Sequence, residues 1–96
     1  MAEVADVTDI SGENQFELTV DGHTAMLVYR IDGNSLVLIH TEVPDELAGQ
    51  GIGGTLVRAA IERSTRDGLT IVPRCPFARR WLERHPDEIG GVGIDW

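Results

Sequence analysis

The chain has 96 residues, with sixteen acidic side chains, eight arginines and no lysine, so its formal net charge is −8. Its length suits one domain with a modest core. Its acidity argues against nucleic-acid binding, because phosphate backbones require a basic surface. The single cysteine offers neither an internal disulfide nor a metal framework, and no apolar stretch approaches the length of a membrane span. We therefore expect one domain over residues 1–96, loosely held at 1–14 and 88–96, in a cytoplasmic monomer or weak dimer with no metal, membrane or nucleic-acid partner.

Three strands of an antiparallel meander are predicted in the first half of the chain. From Phe16 to Val20 apolar and polar residues alternate, as in a half-buried strand. Asp21-Gly22 is a hairpin-turn signal, and a second strand is expected over 23–31. A further turn leads to a third strand over 35–43, which begins apolar on both faces, as a central strand does. This strand becomes polar at 40–42, which is where a functional site is expected.

The second half of the chain alternates helix and strand. A helical pattern over 51–67 ends at the C-cap glycine Gly68. A short apolar strand follows at 69–72, and a second helix is expected to begin at Pro76 and to end before Pro86. Strand, helix and strand in this order predict a right-handed crossover with parallel pairing. The predicted fold is α+β, an antiparallel meander followed by a helix, a parallel strand and a second helix. The helix residues expected to face water are Arg58, Glu62, Arg63 and Arg66, and those expected in the core of the second helix are Phe77, Ala78, Trp81 and Leu82.

Four glycines crowd into six positions between the third strand and the first helix: Gly49, Gly51, Gly53 and Gly54. Glycine is unfavourable in a helix, and a cluster at a helix start is explained if an anion approaches the unpaired N–H groups of the first turn. A side chain at Gly51 or Gly53 would then stand where the anion sits. A flexible loop before an ordinary helix is the alternative. A P-loop is excluded, because no lysine follows the last glycine.

Together these features resemble the GNAT superfamily of acyl-CoA-dependent N-acyltransferases. The loop of that superfamily reads Arg/Gln-x-x-Gly-x-Gly/Ala, and Ala-Gly-Gln-Gly-Ile-Gly at 48–53 matches it except at Ala48. Three further motifs resemble the short YjdJ-type branch: His-Thr-Glu-Val-Pro at 40–44, Val-Pro-x-Cys-Pro-Phe at 72–77, and His85-Pro86. The matching motifs span most of the chain.

The resemblance implies acetyl-CoA in a gap between the third strand and the strand at 69–72. The pantetheine arm would pair with the backbone near Thr41 and Val43, as an added strand does. The pyrophosphate would rest on backbone N–H groups of the loop, those of Gln50, Gly51, Ile52, Gly53 and Gly54. Arg79 or Arg80 could reach the nucleotide phosphates, although a solvated helix face explains both arginines about as well.

Three residues near the predicted gap could serve the transfer of an acetyl group to an amine, which needs a base and stabilisation of the transition state. Glu42 could be the base, directly or through a water, or a turn carboxylate. His40, on the same face, could share that role or be structural. Cys75, at a helix start, could be reactive or a small apolar filler. Because the superfamily resemblance implies a ternary complex, we expect direct attack by the amine, with Cys75 dispensable.

Two functions remain open at this point. The first is an acetyl-CoA-dependent N-acetyltransferase whose acceptor is a primary amine of a small molecule or a protein. The second is an acyl-CoA-binding module or sensor with little turnover. The convergence of His40, Glu42 and Cys75 on one gap favours the enzyme, whereas an open acceptor side favours the module.

Overall fold

The computed structural model describes residues 7–96. In this range five strands are present: β1 (Thr8–Ile10), β2 (Gln15–Val20), β3 (His23–Asp32), β4 (Ser35–Glu42) and β5 (Thr70–Pro73). The helices are α1 (Ile52–Asp67), α2 (Pro76–Arg84) and the short α3 (Pro86–Ile89), with 3-10 turns at Ser11–Glu13 and Asp45–Leu47. None of the helices in this range is both long enough and apolar enough to cross a membrane.

The five strands form one sheet in the order β1-β2-β3-β4-β5. The first four strands pair antiparallel, and β5 pairs parallel with β4. The parallel register runs from Ser35 opposite Thr70 to Leu38 opposite Pro73. α1 supplies the crossover between the two parallel strands. The predicted α+β fold, a meander followed by helix, parallel strand and second helix, is therefore confirmed.

The alternation of buried and half-buried side chains along β3 shows which face of the sheet the helices cover. Ala25, Leu27 and Tyr29 are at most 2% exposed, whereas their neighbours Met26 and Val28 are half-buried. Successive side chains of a strand point to opposite faces. The first three therefore lie under the helices, and the other two lie on what we term the second face. α1 and α2 both join the core cluster of the first three, so they pack on the same side of the sheet.

The predicted helix faces are wrong in two details. The side chains of Arg58 and Arg63, expected in water, are only 38% and 17% exposed, and each binds a carboxylate. Phe77, expected in the core, is 40% exposed, and Trp81 is only partly buried, while Ala78 does reach the core. An apolar stripe on a helix identifies the side that is not bathed in water, but it does not distinguish a core from the wall of a cavity.

Arg63 joins α1 to the edge of the sheet. Its guanidinium donates to the carboxylate of Asp9 in β1 and to the Tyr29 hydroxyl in β3, the latter at 3.2 Å. It also donates to Asp67 at 2.6 Å. Burial lowers the pKa of Arg63, but the hydrogen bonds with these three groups outweigh burial and raise that pKa above its ordinary value. Burial and the hydrogen bond to Asp9 also raise the pKa of Tyr29. The single tyrosine of the chain is therefore a structural group, tied into a polar contact between helix and sheet.

The C-terminal residues return to the sheet. Ile94 forms a parallel bridge with Ile71 of β5. The Ile71 N–H donates to the Gly93 carbonyl at 3.0 Å, and the Asp95 N–H donates to the Ile71 carbonyl at 2.8 Å. Part of the 88–96 segment, which we expect from the sequence to be loosely held, thus carries backbone pairing to β5.

Replacing Arg63 with Met should destabilise the fold by about 1–3 kcal/mol, because it removes the guanidinium that donates to both Asp9 and the Tyr29 hydroxyl in a partly buried position. The matched change Arg66→Met alters an arginine whose side chain is 65% exposed, and it should change stability by less than about 0.5 kcal/mol. Urea unfolding followed by tryptophan fluorescence measures both effects. Equal unfolding midpoints for the two variants would show that the Arg63 contacts contribute nothing specific.

Candidate active site

β4 continues beyond the end of β5. The parallel register ends where Leu38 lies opposite Pro73, whereas β4 runs on to Glu42. At this point the Leu38 carbonyl accepts hydrogen bonds from the N–H groups of Arg74 at 3.0 Å and Cys75 at 2.9 Å. These two bonds turn the chain out of the sheet and into α2. The last part of β4 therefore has an edge that β5 does not cover.

A cavity of about 650 Å³ lies beside this edge, a volume usual for small-molecule sites. It is on the helix-covered side of the sheet, between the end of β4, the loop after it and the two longer helices. Its lining residues are Thr41, Val43, Leu47, Ala48, Gly49, Gly51, Ile52, Gly53, Gly54, Arg58, Phe77, Trp81 and His85. The structure thus brings together six of the residues predicted to contact the donor: Thr41, Val43, Gly51, Ile52, Gly53 and Gly54.

The first turn of α1 opens onto this cavity. Its N-cap, Gly51, has a φ of 74°, a left-handed conformation that glycine adopts without a steric penalty. No side chain caps the helix, and the Thr55 N–H donates to the Gly51 carbonyl at 3.1 Å. The N–H groups of Ile52, Gly53 and Gly54 precede this bond and have no acceptor within the helix. Together with the positive end of the helix dipole, these donors suit an anion.

Gly53 and Gly54 lack side chains for a second reason. A Cβ at Gly53 would lie 2.6 Å from the Phe77 ring, and a Cβ at Gly54 would lie 2.5 Å from Nε1 of Trp81. The two glycines therefore let α2 rest directly on the first turn of α1. This corrects the interpretation that a side chain at Gly53 would stand in the anion's place, because the Phe77 ring already occupies that space. A Cβ at Gly51, by contrast, would meet nothing within 4 Å.

Arg58, Trp81 and His85 are among the residues of the cavity wall that were not predicted to belong to the site. The Arg58 guanidinium lies 5.2 Å from the centre of the Trp81 ring, and Trp81 stacks on His85 with centroids 4.1 Å apart. Glu88 of α3 accepts two hydrogen bonds from Arg58, at 2.6 and 3.1 Å, which hold the pKa of Glu88 below its usual value. The spacing of Trp81 and His85 was an available signal, since residues four apart adjoin on a helix surface. Arg58 contacts α2 and α3 only through tertiary packing, so no local sequence pattern indicates that it belongs to the site.

Cys75 lies beside the point where β4 and β5 part. It is buried, at 4% exposure, and its Sγ is 3.3 Å from Oγ1 of Thr41. Thr41 lines the cavity, so the thiol is one side chain away from it. Cys75 is therefore close to the predicted gap, but it is not exposed to solvent.

His40 and Glu42 lie on the second face. They are opposite Val28 and Met26 in the register of β3 and β4, and the intervening Thr41 points to the helix-covered side. Nε2 of His40 and Oε1 of Glu42 are 3.9 Å apart, and the two side chains are 62% and 65% exposed. The structure therefore brings the two candidate bases together on the side of the sheet opposite the cavity. The prediction that both converge with Cys75 on one gap is corrected, because Cys75 contacts Thr41 on the cavity side.

Three other residues of the predicted donor site lie outside the cavity wall. Gln50 is exposed in the loop. Nε of Arg79 lies 3.4 Å from Oε2 of Glu83, and the Arg79 guanidinium donates a hydrogen bond to the Trp96 carbonyl at 3.2 Å. Arg80 lines a separate, smaller cavity on α2.

The fold is the one that the resemblance implies for an acetyltransferase domain. The family model described as "GCN5-related N-acetyl-transferase" matches residues 15–90, and the chain belongs to that family. Its predicted membership of the GNAT superfamily is thus confirmed, while the YjdJ-type branch stays a prediction.

Individual proteins are similar to this chain over most of its length. Protein NATD1 of Mus musculus is 32% identical over 75 residues, covering 75% of this chain and 68% of the relative. Protein NATD1 of Homo sapiens is also 32% identical over 75 residues, with 66% of the relative covered. A GCN5-like protein of Staphylococcus aureus, whose structure was solved by NMR, superposes with a TM-score of 0.70 at 32% identity. That superposition covers 99% of this chain and 94% of the other.

Gly54→Ala should destabilise the fold by about 1–3 kcal/mol, because the added methyl group forces Trp81 away from the first turn of α1. Gly12→Ala is the control, since a Cβ there meets nothing within 4 Å, and it should change stability by less than about 0.5 kcal/mol. Urea unfolding measures both changes. The double variant Gly54→Ala/Trp81→Leu should lose less stability than the two single changes sum to. Strict additivity would contradict the contact.

Proposed function

We propose that the protein transfers an acetyl group from acetyl-CoA to a primary amine of a small molecule or a protein. The observation that carries this proposal is the meeting, at one cavity, of the uncovered edge of β4 and the uncapped N-terminus of α1. The edge suits an extended chain containing amides, and the helix terminus suits a phosphate group. Acetyl-CoA combines both chemical groups in one molecule, and it supplies an acetyl group activated as a thioester.

The residues that line the cavity fit acetyl-CoA. The amides of the pantetheine arm match the backbone N–H and C=O groups near Thr41 and Val43, in the manner of an added strand. The N–H groups of Ile52, Gly53 and Gly54 suit the pyrophosphate. These donors belong to the backbone. The absence of a basic or amide side chain at Ala48, where the superfamily motif has one, therefore leaves the donors in place.

Glu42 is the base in this proposal. The amine must lose a proton before its nitrogen attacks the thioester carbonyl, and Glu42 accepts that proton directly or through a water. His40, 3.9 Å from Glu42, orients the carboxylate or shares the proton. In the net reaction an N–C bond replaces a C–S bond, and one proton passes from the amine to the coenzyme sulfur. Both residues stand on the second face, so the amine approaches from that side.

Thr41 and Cys75 lie at the opening between β4 and β5 through which the two substrates must meet. Cys75 is buried and in contact with the Thr41 hydroxyl at 3.3 Å. A nucleophilic thiol must be accessible to its substrate, and Cys75 is only 4% exposed. We therefore assign Cys75 to packing at the opening, and we propose direct attack by the amine.

An acyl-CoA-binding module with little turnover is the second candidate. It is favoured by the exposure of His40 and Glu42, at 62% and 65%, because electrostatic and acid–base catalysis gain strength in sites that exclude water. The two candidates differ in one observable. A module binds acetyl-CoA without releasing free thiol when amines are added, whereas an acetyltransferase releases thiol at a rate that depends on the amine.

Acetyl-CoA should raise the thermal stability of the protein. At a hundred times its dissociation constant a ligand adds about 2.7 kcal/mol, or roughly 10–20 °C for a domain of this size. Gly51→Asp should abolish the shift, because it brings a negative charge to the phosphate position. Gly51→Asn has the same shape and also tolerates a left-handed conformation, so it should keep most of the shift. Differential scanning fluorimetry measures all three proteins.

Two outcomes of that measurement would contradict the proposal. A parent protein whose melting temperature is unchanged by millimolar acetyl-CoA would refute acetyl-CoA as the donor. Equal shifts in the Asp and Asn variants would refute the position of the pyrophosphate.

Glu42→Gln should lower turnover by about 10²–10⁴-fold, because it keeps the shape of the side chain and removes the base. Glu62→Gln, which alters an exposed carboxylate of α1, should leave turnover unchanged, and Cys75→Ser should retain most activity. The assay follows free thiol with acetyl-CoA and a panel of amino acids, polyamines and lysine-containing peptides. If Glu42→Gln loses less than about threefold with an accepted amine, the carboxylate is structural. If the protein binds acetyl-CoA but no amine causes release of free thiol, the second candidate, an acyl-CoA-binding module, is correct.

A further inference from the structure

Three flat side chains follow one line along α2 and its C-terminal end. Phe77, Trp81 and His85 are spaced four residues apart, which aligns them on one side of the helix. All three line the 650 Å³ cavity, and all three also line a second cavity of about 160 Å³. We term these three residues the aromatic ridge. It divides two adjoining cavities, and a ligand in the larger one can extend across it.

Two arginines complete the smaller cavity. Arg80 and Arg84 lie four residues apart on the exposed side of α2. Within residues 7–96 neither of them has a carboxylate at salt-bridge distance. The arginines that do have such a partner are Arg58, Arg63, Arg66 and Arg79.

The spacing of Arg80 and Arg84 is electrostatically unfavourable. Like charges four residues apart on a helix repel one another. With sixteen acidic side chains and eight arginines, a carboxylate partner for each arginine is readily available to the sequence. Arg80 and Arg84 nevertheless share a concave surface without a carboxylate partner among residues 7–96. An anion bound between them would relieve the repulsion.

We infer that the aromatic ridge and this arginine pair bind the nucleotide end of acetyl-CoA, with its 3′-phosphate between Arg80 and Arg84. The inference rests on the proposed function, under which the pyrophosphate lies at the first turn of α1. That turn touches the ridge, because Gly53 packs against Phe77. The adenosine that follows the pyrophosphate has only to cross the ridge to bring its 3′-phosphate to the arginines.

The chemistry of both surfaces suits this part of the ligand. Phe77 is 40% exposed and offers apolar ring surface to a purine. Any nucleobase can stack on an aromatic side chain, because every base has a flat π face. A phosphate monoester is nearly doubly charged at neutral pH, and guanidinium groups bind phosphate through paired hydrogen bonds. The arginine pair therefore distinguishes coenzyme A from the same molecule without its 3′-phosphate.

Calorimetric titration with acetyl-CoA and with 3′-dephospho-acetyl-CoA tests the inference. The parent protein should bind acetyl-CoA about tenfold more tightly than the dephospho compound, the effect of one charge-assisted contact. Arg80→Gln/Arg84→Gln should bring the two affinities to within about twofold by weakening acetyl-CoA alone. Arg30→Gln/Arg66→Gln carries the same change in charge away from the ridge, and it should preserve the tenfold difference.

The outcomes separate this inference from the proposed function. If neither compound binds the parent protein, both are wrong. If both compounds bind the parent protein equally, acetyl-CoA remains the donor and the arginine site is wrong. If the parent protein discriminates and the Arg80→Gln/Arg84→Gln variant discriminates as well, the 3′-phosphate binds elsewhere and the inference is overturned. Loss of discrimination in the control variant would attribute the effect to overall charge and would also overturn it.

Discussion

The rest of the site depends on one backbone carbonyl, that of Leu38. By accepting hydrogen bonds from the N–H groups of both Arg74 and Cys75, it ends the parallel pairing of β4 and β5 and directs the chain into α2. If β5 continued along β4, the strand would have no uncovered edge and α2 would not lie over the first turn of α1. The opening, the cavity and the helix contact thus follow from backbone hydrogen bonds and not from particular side chains. A change of register would therefore disturb them more than most single side-chain changes.

The fold could be predicted from the sequence because its signals are local. Asp21 and Gly22 have φ values of 52° and 81°, the conformation that a two-residue hairpin loop requires, and that dipeptide is itself the sequence signal for such a loop. The contacts that build the site are not local. Arg58 meets Glu88 across 30 positions, and the need for glycine at Gly54 comes from Trp81. Periodicity identified the apolar side of α2, but only the packing of α2 on α1 decides which of those side chains line a cavity.

Strand alternation divides a group of residues that the sequence places side by side. His40, Thr41 and Glu42 are consecutive, yet Thr41 faces the cavity while the other two face the opposite side of the sheet. For a transfer between two substrates this separation is useful, because donor and acceptor need not compete for the same wall. Under the proposed function, substitutions on the second face, beside Met26 and Val28, would alter the choice of acceptor with little effect on acetyl-CoA binding.

The acidity of the chain is compatible with the proposed polyanionic ligand, acetyl-CoA, because electrostatic repulsion weakens with distance. A net charge of −8 repels phosphates at long range, but at physiological salt such repulsion is screened beyond about 8 Å. The backbone donors at the start of α1 act within the first turn of the helix, and hydrogen bonds to an arginine act at contact distance. Binding is therefore governed by the few donors at the site. Under the proposed function, the same net charge would favour the approach of a protonated amine to the second face, where Glu42 lies. An acidic chain can thus bind an anionic and a cationic substrate, provided that the hydrogen-bond donors for the anion are concentrated on the helix-covered side.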